Sequence, residues 1–132
     1  MRIYLTHCSK DKSLAAKTSG DKLHPDQLYT DSGLQEFITA CKLKGAAWVI
    51  LSDQYGVFSP DETHAYYEKP PASVTPEKET ILVDQVNLRL EPYDEIWFYV
   101  RTETFHPLYE RILMQSALSA RVHFFSYLKE IE

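Results

Sequence analysis

The chain has 132 residues and a mass of 15.3 kDa, which predicts a single domain over residues 1–132. Hydrophobic residues make up 44% and charged residues 25% of the chain, a composition typical of globular rather than disordered proteins. The formal net charge of −5 argues against a general nucleic-acid coat protein, which is normally basic. We therefore expect no binding to an extended nucleic-acid duplex.

The predicted elements alternate between strands and helices. Short apolar segments predict strands at residues 2–6, 46–51, 95–100 and 121–125. Amphipathic segments bounded by capping residues predict helices at about residues 31–44, 76–89 and 106–118. Residues 14–30 are ambiguous because turn-forming residues interrupt a short helical pattern, and residues 57–75 predict a long irregular loop. A loop of that length in a small domain is more often functional than idle.

This alternation predicts an α/β fold, in which a single three-layer domain has about four mostly parallel strands with helices on both faces. The common doubly wound arrangement gives the strand order 2-1-3-4. Ligands bind beyond the carboxyl ends of such strands, at the point where the strand order reverses. The predicted site therefore lies between the first and third strands, where residues 7–12 and 101–106 meet, with residues 52–56 beside them.

The loop after the first strand reads His7-Cys8-Ser9-Lys10-Asp11-Lys12. Its lysines and backbone amides are suited to hold an anion, and residues 1–24 carry five basic and two acidic residues. A cysteine flanked by histidine and lysine also predicts a thiol of depressed pKa. The alternative is that Cys8 is a small buried residue at a strand end and that the lysines are solvated surface side chains.

The loop after the second strand contains Ser52-Asp53-Gln54-Tyr55-Gly56. Tyr55 is suited to stack on a base or sugar ring, and Gly56 permits a positive φ angle or the close approach of a ligand. The alternative is an ordinary strand-to-loop turn in which Tyr55 covers the edge of the core. In the long loop that follows, Tyr66 and Tyr67 are predicted to lie over the pocket.

The predicted site combines proton-transfer and ligand-binding candidates. Ser9 and His106 are the candidate catalytic residues, because a hydroxyl and an imidazole near a helix start can exchange protons. The candidate ligand-binding residues are His7, Cys8, Lys10, Lys12, Tyr29, Ser52, Tyr55, Gly56, Tyr66 and Arg101. No pairs of Cys and His with zinc-ligand spacing occur in the sequence, so neither a metal nor another cofactor is predicted.

Three features of the sequence predict where in the cell the protein lies. It has no apolar run of 18 residues and no signal-peptide pattern, and two cysteines do not make a disulfide framework. We expect a cytoplasmic protein with no membrane contact. The oligomeric state is left open.

Several motifs together resemble a family of small uncharacterised bacterial, archaeal and phage domains. They are Cys8-Ser9-Lys10 with Lys12, the segment Asp26-Gln27-Leu28-Tyr29, Phe37, and Ile50-Leu51-Ser52-Asp53-Gln54-Tyr55-Gly56 followed by Pro60 and Tyr66. That family is distantly similar to the uracil-DNA-glycosylase-like fold, to domains of tRNA deazaguanine-modification enzymes and to YaaA peroxide-stress proteins. The resemblance implies an α/β domain with a pocket sized for a base or nucleotide. It does not imply uracil excision, because the glycosylase signature is missing and His106-Pro107 is only a partial match.

Three hypotheses for the function follow. The first is a nucleobase- or nucleotide-binding domain that takes a small anionic ligand and acts as an enzyme on a nucleoside, a nucleotide or one base of a nucleic acid. The second is a non-catalytic module that senses a nucleotide through the same pocket. The third is thiol-dependent chemistry at Cys8, which requires rapid alkylation at neutral pH.

Overall fold

The computed structural model describes residues 1–102 and 104–132, and its described residues form one five-stranded sheet. The strands are β1 (Arg2–His7), β2 (Trp48–Ser52), β3 (Gly56–Phe58), β4 (Glu95–Tyr99) and β5 (Val122–Phe125). The sheet order is β3-β2-β1-β4-β5. All neighbouring pairs are parallel except β2 and β3, which are antiparallel.

The predicted α/β fold with a mostly parallel sheet is confirmed. The observed order differs from the predicted four-strand order because β3 is added at one edge of the sheet. The four parallel strands beside it follow one another as β2-β1-β4-β5. Prediction missed β3 because three residues give too short a pattern. Its first residue, Gly56, has a φ of 75°, which lets the chain turn back along β2.

The described residues form five α-helices around the sheet: α1 (Leu14–Ser19), α2 (Pro25–Leu28), α3 (Ser32–Lys44), α4 (Pro76–Arg89) and α5 (Pro107–Gln115). The described residues also form short 3-10 helices at Pro71–Ser73, Ser119–Arg121 and Leu128–Glu130. The connections through α3 and α4 cross the sheet in opposite directions. Because such crossovers are right-handed, α3 and α4 lie on opposite faces.

The long helices begin and end where their capping residues predict. The Asp31 carboxylate accepts a hydrogen bond from the Leu34 N–H at the start of α3, and Gly45 ends that helix with a φ of 62°. Thr75 caps α4 in the same way, with Pro76 in the first turn. Helix α5 ends at Gln115, before the predicted residue 118, because the chain turns at Ser116 into a 3-10 segment.

The core lies between the central strands and the helices on either side. Fully buried side chains on the three central strands are Leu5, Ile50, Leu51, Ile96 and Phe98. Strand β1 is buried along both faces from Ile3 to His7, as expected for the middle of a parallel sheet. Its register pairs His7 with Leu51, so β1 and β2 end at the same edge. The side chains that follow these strands therefore share one end of the molecule.

Candidate functional site

A cleft of about 1400 Å³ lies beyond the carboxyl ends of β1 and β2. Its walls are His7 at the end of β1 with residues 8–13 after it, Leu14 and Lys17 of α1, Thr30 and Asp31 before α3, and Tyr66 with residues 68–71. The remaining lining residues are Asp53, Thr104 and Tyr109. The carboxyl end of the sheet is where open parallel sheets hold ligands. The strand order reverses between β1 and β4, the predicted position of the site, but of the loop after β4 only Thr104 is in the described lining. The cleft exceeds the volume that a drug-sized ligand fills.

Cys8, Asp53 and Tyr109 form a buried polar cluster on the floor of the cleft. Cys8 Sγ lies 3.5 Å from Asp53 Oδ1 and 3.3 Å from the Tyr109 hydroxyl oxygen. Burial, reinforced by the Asp53 carboxylate, raises the pKa of the Cys8 thiol. Burial likewise raises the pKa of Asp53 and that of Tyr109. The depressed thiol pKa expected for Cys8 is therefore wrong, because the carboxylate and the dry surroundings outweigh the neighbouring cations.

A second hydrogen-bonded group lies behind this cluster. The Tyr67 hydroxyl is 2.8 Å from the Tyr29 hydroxyl and 3.0 Å from the Ser52 hydroxyl. Ser52 also accepts hydrogen bonds from the N–H groups of Gln54 and Tyr55, which shapes the turn after β2. Burial raises the pKa of Tyr29 and of Tyr67 well above the usual tyrosine value. Their hydroxyls therefore stay protonated, and the network ties the segment 66–71 to the sheet.

Lys12 is a nearly buried cation on the wall of the cleft. Only 9% of its surface is exposed, and its ammonium lies 4.3 Å from the centre of the Tyr67 ring. Its single hydrogen bond in the described residues goes to the Lys10 carbonyl at 3.4 Å. No carboxylate of the described residues lies within 4.0 Å of it. Burial lowers the pKa of Lys12.

A surface latch of Lys17, Tyr66 and Glu68 joins α1 to the segment 66–71 at the rim of the cleft. The Glu68 carboxylate lies 3.0 Å from the Lys17 ammonium and accepts a hydrogen bond from the Tyr66 hydroxyl at 2.7 Å. The Lys17 ammonium also lies 5.5 Å from the centre of the Tyr66 ring. The predicted position of Tyr66 beside the pocket agrees with this geometry.

Arg101 supports the cleft from behind rather than lining it. Its guanidinium donates hydrogen bonds to the Thr6 hydroxyl at 3.0 Å and to the His7 carbonyl at 2.7 Å. A longer bond of 3.3 Å reaches the Cys8 carbonyl, and its Nε lies 3.7 Å from Asp31 Oδ2. Arg101 therefore fixes the backbone at the end of β1, which differs from the ligand-binding role predicted for it.

His7 borders the cleft, and its ring is fixed by stacking and by polar contacts at both nitrogens. The ring stacks on Tyr109 with 4.9 Å between centroids. Nδ1 lies 2.8 Å from the Cys8 carbonyl and 3.2 Å from the Arg101 guanidinium, and Nε2 lies 3.4 Å from the Thr104 hydroxyl. Burial, with the charge of Arg101, lowers the pKa of His7 to about 4. His7 is thus a neutral wall residue at physiological pH.

The structure brings some predicted residues together in the cleft and leaves others out. Its lining includes His7, Cys8, Ser9, Lys10, Lys12 and Tyr66. The Ser9 hydroxyl donates a hydrogen bond to the Asp11 carbonyl at 2.7 Å. Its proton is therefore already engaged and is not directed at a ligand in the cleft. Tyr29 and Ser52 lie behind the lining as members of the hydroxyl network.

Three predicted residues have structural roles outside the cleft. Tyr55 stacks on His64 with 3.9 Å between ring centroids and donates to the Ala65 carbonyl, so its ring is already covered. A Cβ atom on Gly56 would lie 2.9 Å from a carbon of the Gln85 side chain, so the close approach is to α4 and not to a ligand. His106 caps α5 by accepting from the Leu108 N–H at 3.0 Å.

Asp53 and Tyr109 are the floor residues that sequence reasoning missed. Asp53 follows β2 directly, a position that marks a site residue in parallel sheets. Tyr109 lies within α5, where an aromatic residue on the apolar face is typical of core packing. Among the described residues, no group of three or more His, Cys, Asp or Glu side chains is arranged to hold a metal ion.

A smaller cavity of about 310 Å³ lies near the other end of the strands, between Ile3, residues 46–49 and residues 59–61. Asp61 is the only charged residue in its described lining. The large cleft is therefore the better candidate for a functional site.

None of the helices in the described residues has the length and apolar character needed to cross a bilayer. Compared with protein-family models, curated proteins and solved structures, the chain has no match.

Proposed function

We propose that this chain binds a nucleotide or a related anion that carries a nucleobase in the cleft beyond β1 and β2. The phosphate would lie against Lys12, with Lys10 beside it on the rim, and the base would reach the floor formed by Cys8, Asp53 and Tyr109. The volume and the position of the cleft support this proposal. The loop motifs resemble those of the family of small uncharacterised domains described above, and that resemblance implies a pocket sized for a base or nucleotide.

The observation that carries the proposal is the state of Lys12. A buried ammonium is costly unless a carboxylate or several hydrogen bonds compensate it. Lys12 has one long hydrogen bond and a tyrosine ring, and the described residues offer it no ion pair. Since it lines the cleft, an anionic ligand group would supply the missing partner.

Catalysis on the bound ligand is the second candidate function, favoured by the carboxylate of Asp53 at the floor. Its raised pKa brings its proton equilibrium nearer to neutrality, as in general acid–base catalysts. Thiol chemistry is not adopted, because a nucleophilic cysteine needs a lowered pKa and that of Cys8 is raised. We place the protein in the reducing cytoplasm, where the free thiols Cys8 and Cys41 are stable.

Titration calorimetry with nucleoside 5′-monophosphates and inorganic phosphate tests the binding proposal. We expect at least one nucleotide to bind and Lys12→Ala to weaken its affinity by about tenfold, since a lost charge-assisted hydrogen bond costs about 1.5 kcal/mol or more. Lys22→Ala is the matched control, because Lys22 is exposed and lies outside the cleft lining.

Thermal melting of both variants shows whether each remains folded. If Lys12→Ala unfolds, Lys10→Ala takes its place, because Lys10 is exposed and lines the same cleft. Absence of nucleotide binding at millimolar concentration, or unchanged affinity in the folded cleft variant, would contradict the proposal. Chromatography of the same incubations separates the two functions, because only an enzyme converts the ligand.

A further inference from the structure

We infer that the cleft selects bases with two neighbouring N–H donors on one edge, which among the common bases means guanine. The inference rests on the proposed nucleotide binding and names its substrate class. It follows from the surroundings of Asp53.

Asp53 is a buried carboxylate with little hydrogen bonding of its own. Only 2% of its surface is exposed, yet it lines the cleft. Within the described residues, its side-chain donors are the Cys8 thiol, 3.5 Å from Oδ1, and the Tyr67 hydroxyl, whose hydrogen bond acts to lower the pKa of Asp53. A thiol is a weak donor, whereas an ionised carboxylate has about four acceptor sites. Because a buried carboxylate is costly without donors, the ligand is the natural source of the missing ones.

The other acidic residues of the lining are already compensated or solvated. Asp31 lies 3.7 Å from the Arg101 guanidinium, and Glu68 pairs with Lys17 at 3.0 Å. Asp11 is exposed to water. In the described part of the chain, Asp53 alone among these acids combines deep burial with no cation within 4.0 Å.

Asp53 and Lys12 set opposite requirements on the same ligand. Both line the cleft, and they do not form an ion pair within 4.0 Å. Each charge favours the charged form of the other, since Asp53 acts to raise the pKa of Lys12 and Lys12 acts to lower that of Asp53. Because the two groups do not touch, a ligand can still supply a direct partner to both, an anion for Lys12 and N–H donors for Asp53. A nucleotide supplies both if its base has a donor edge.

The four common bases differ in what they present to a carboxylate. Guanine offers its ring N1–H beside its exocyclic amino group, so both carboxylate oxygens of Asp53 would accept parallel hydrogen bonds. Adenine and cytosine place a ring-nitrogen acceptor beside their amino group, and uracil flanks its ring N–H with two carbonyls. An acceptor facing the Asp53 carboxylate would be repelled, so these bases would bind less well.

The test is a calorimetric comparison of GMP, IMP, AMP, CMP and UMP on the folded full chain. We expect GMP to bind at least about tenfold more tightly than AMP, CMP and UMP, which is the discrimination of a good bidentate pair. IMP keeps the ring N–H but lacks the amino group, so its affinity should fall between those of GMP and AMP.

Asp53→Asn should remove the preference for GMP, because an amide replaces one acceptor oxygen with a donor. Asp61→Asn is the control, since Asp61 is an exposed aspartate outside the cleft lining. If no nucleotide binds, the proposed function fails and this inference fails with it. If nucleotides bind without preference for GMP over IMP and AMP, only the inference is overturned, and a preference that survives in folded Asp53→Asn overturns it equally. Should Asp53→Asn not fold, the wild-type comparison of GMP with IMP still decides.

Discussion

The thiol of Cys8 lies 3.5 Å from the carboxylate of Asp53, and both groups are buried at the floor of the cleft. A negative charge this close disfavours ionisation of the thiol, and burial acts in the same direction. The neighbouring residues His7 and Lys10 do not reverse this effect. His7 is neutral above about pH 4, and Lys10 is on the exposed surface.

The first prediction is slow alkylation of Cys8 in the folded protein. Because burial and Asp53 raise the pKa of the thiol, little thiolate exists at pH 7, and the rate with iodoacetamide should be well below that of a free thiol. Asp53→Asn should accelerate the reaction by removing the negative charge. Mass spectrometry of each cysteine peptide gives the rates.

Cys41 is the internal control for this experiment. Burial in α3 raises its pKa to about 12, and its thiol has no partner in the cleft. Its alkylation should stay slow in wild type and in Asp53→Asn alike, and both cysteines should react rapidly in denaturant. Rapid modification of Cys8 at pH 7 would contradict the raised pKa and revive thiol chemistry.

The second prediction concerns stability in acid. The pKa of His7 is about 4 in the folded protein and about 6.5 in the unfolded chain, so the unfolded state binds more protons between these values. The free energy of unfolding should therefore fall as the pH is lowered from 6.5 to 4, by about 3 kcal/mol from this residue. Urea unfolding at a series of pH values measures the slope.

His7→Gln should flatten that slope, because glutamine does not titrate. His123→Gln is the matched control, since His123 is exposed on β5. Equal pH dependence in wild type and His7→Gln would show that His7 is not buried in its neutral form.

The third prediction is that Arg101 is required for stability even without a ligand. Arg101→Met removes the donors to the Thr6 hydroxyl and to the carbonyls of His7 and Cys8. Leaving these acceptors and Asp31 unpaired should cost about 3 kcal/mol in the free energy of unfolding. Arg111→Met should cost less than about 1 kcal/mol, because Arg111 pairs with Glu79 on an exposed helix surface. Similar losses in both variants would rule out the proposed anchoring role.

The fourth prediction separates backbone strain from crowding at Gly56. Gly20 and Gly56 have nearly the same φ, 77° and 75°, so alanine at either position should cost about 1 kcal/mol or more. A Cβ on Gly20 meets nothing within 4 Å, whereas one on Gly56 would lie 2.9 Å from the Gln85 side chain. Gly56→Ala should therefore lower the free energy of unfolding more than Gly20→Ala. Equal decreases in the free energy of unfolding would mean that the Gln85 side chain on α4 moves away from the added methyl group at little cost.

The main fold was predictable because its signals are local. The continuous apolar run through Val49, Ile50 and Leu51 is typical of a strand buried on both faces, and the caps at Asp31 and Thr75 define helix starts. The short strand β3 was not predictable, since three residues give too short a pattern. The strand is held by a tight hairpin with β2 and by packing on α4, which follows only after the long loop.

The sheet end that carries the candidate cleft was predictable, but the lining of the cleft was not predictable residue by residue. The position of that end follows from the sheet topology, and Cys8 and Lys12 follow β1 as expected. Which side chains reach the cleft depends on long-range contacts. Tyr55 was expected to stack on a ligand, but His64 covers it instead. Arg101 was expected to line the site and bind a ligand. Its buried guanidinium instead donates hydrogen bonds to the carbonyls of His7 and Cys8.

The anchoring of the cysteine loop by Arg101 has a consequence for synthesis of the chain. The residues it joins, Thr6, His7 and Cys8, are separated from it by 93 to 95 positions. On the ribosome, β1 and its loop emerge long before the side chain that fixes them. The cleft therefore takes its shape only after β4 has been made, and a fragment that stops before residue 101 would carry the Cys8-Ser9-Lys10 motif without the side chain that fixes its backbone.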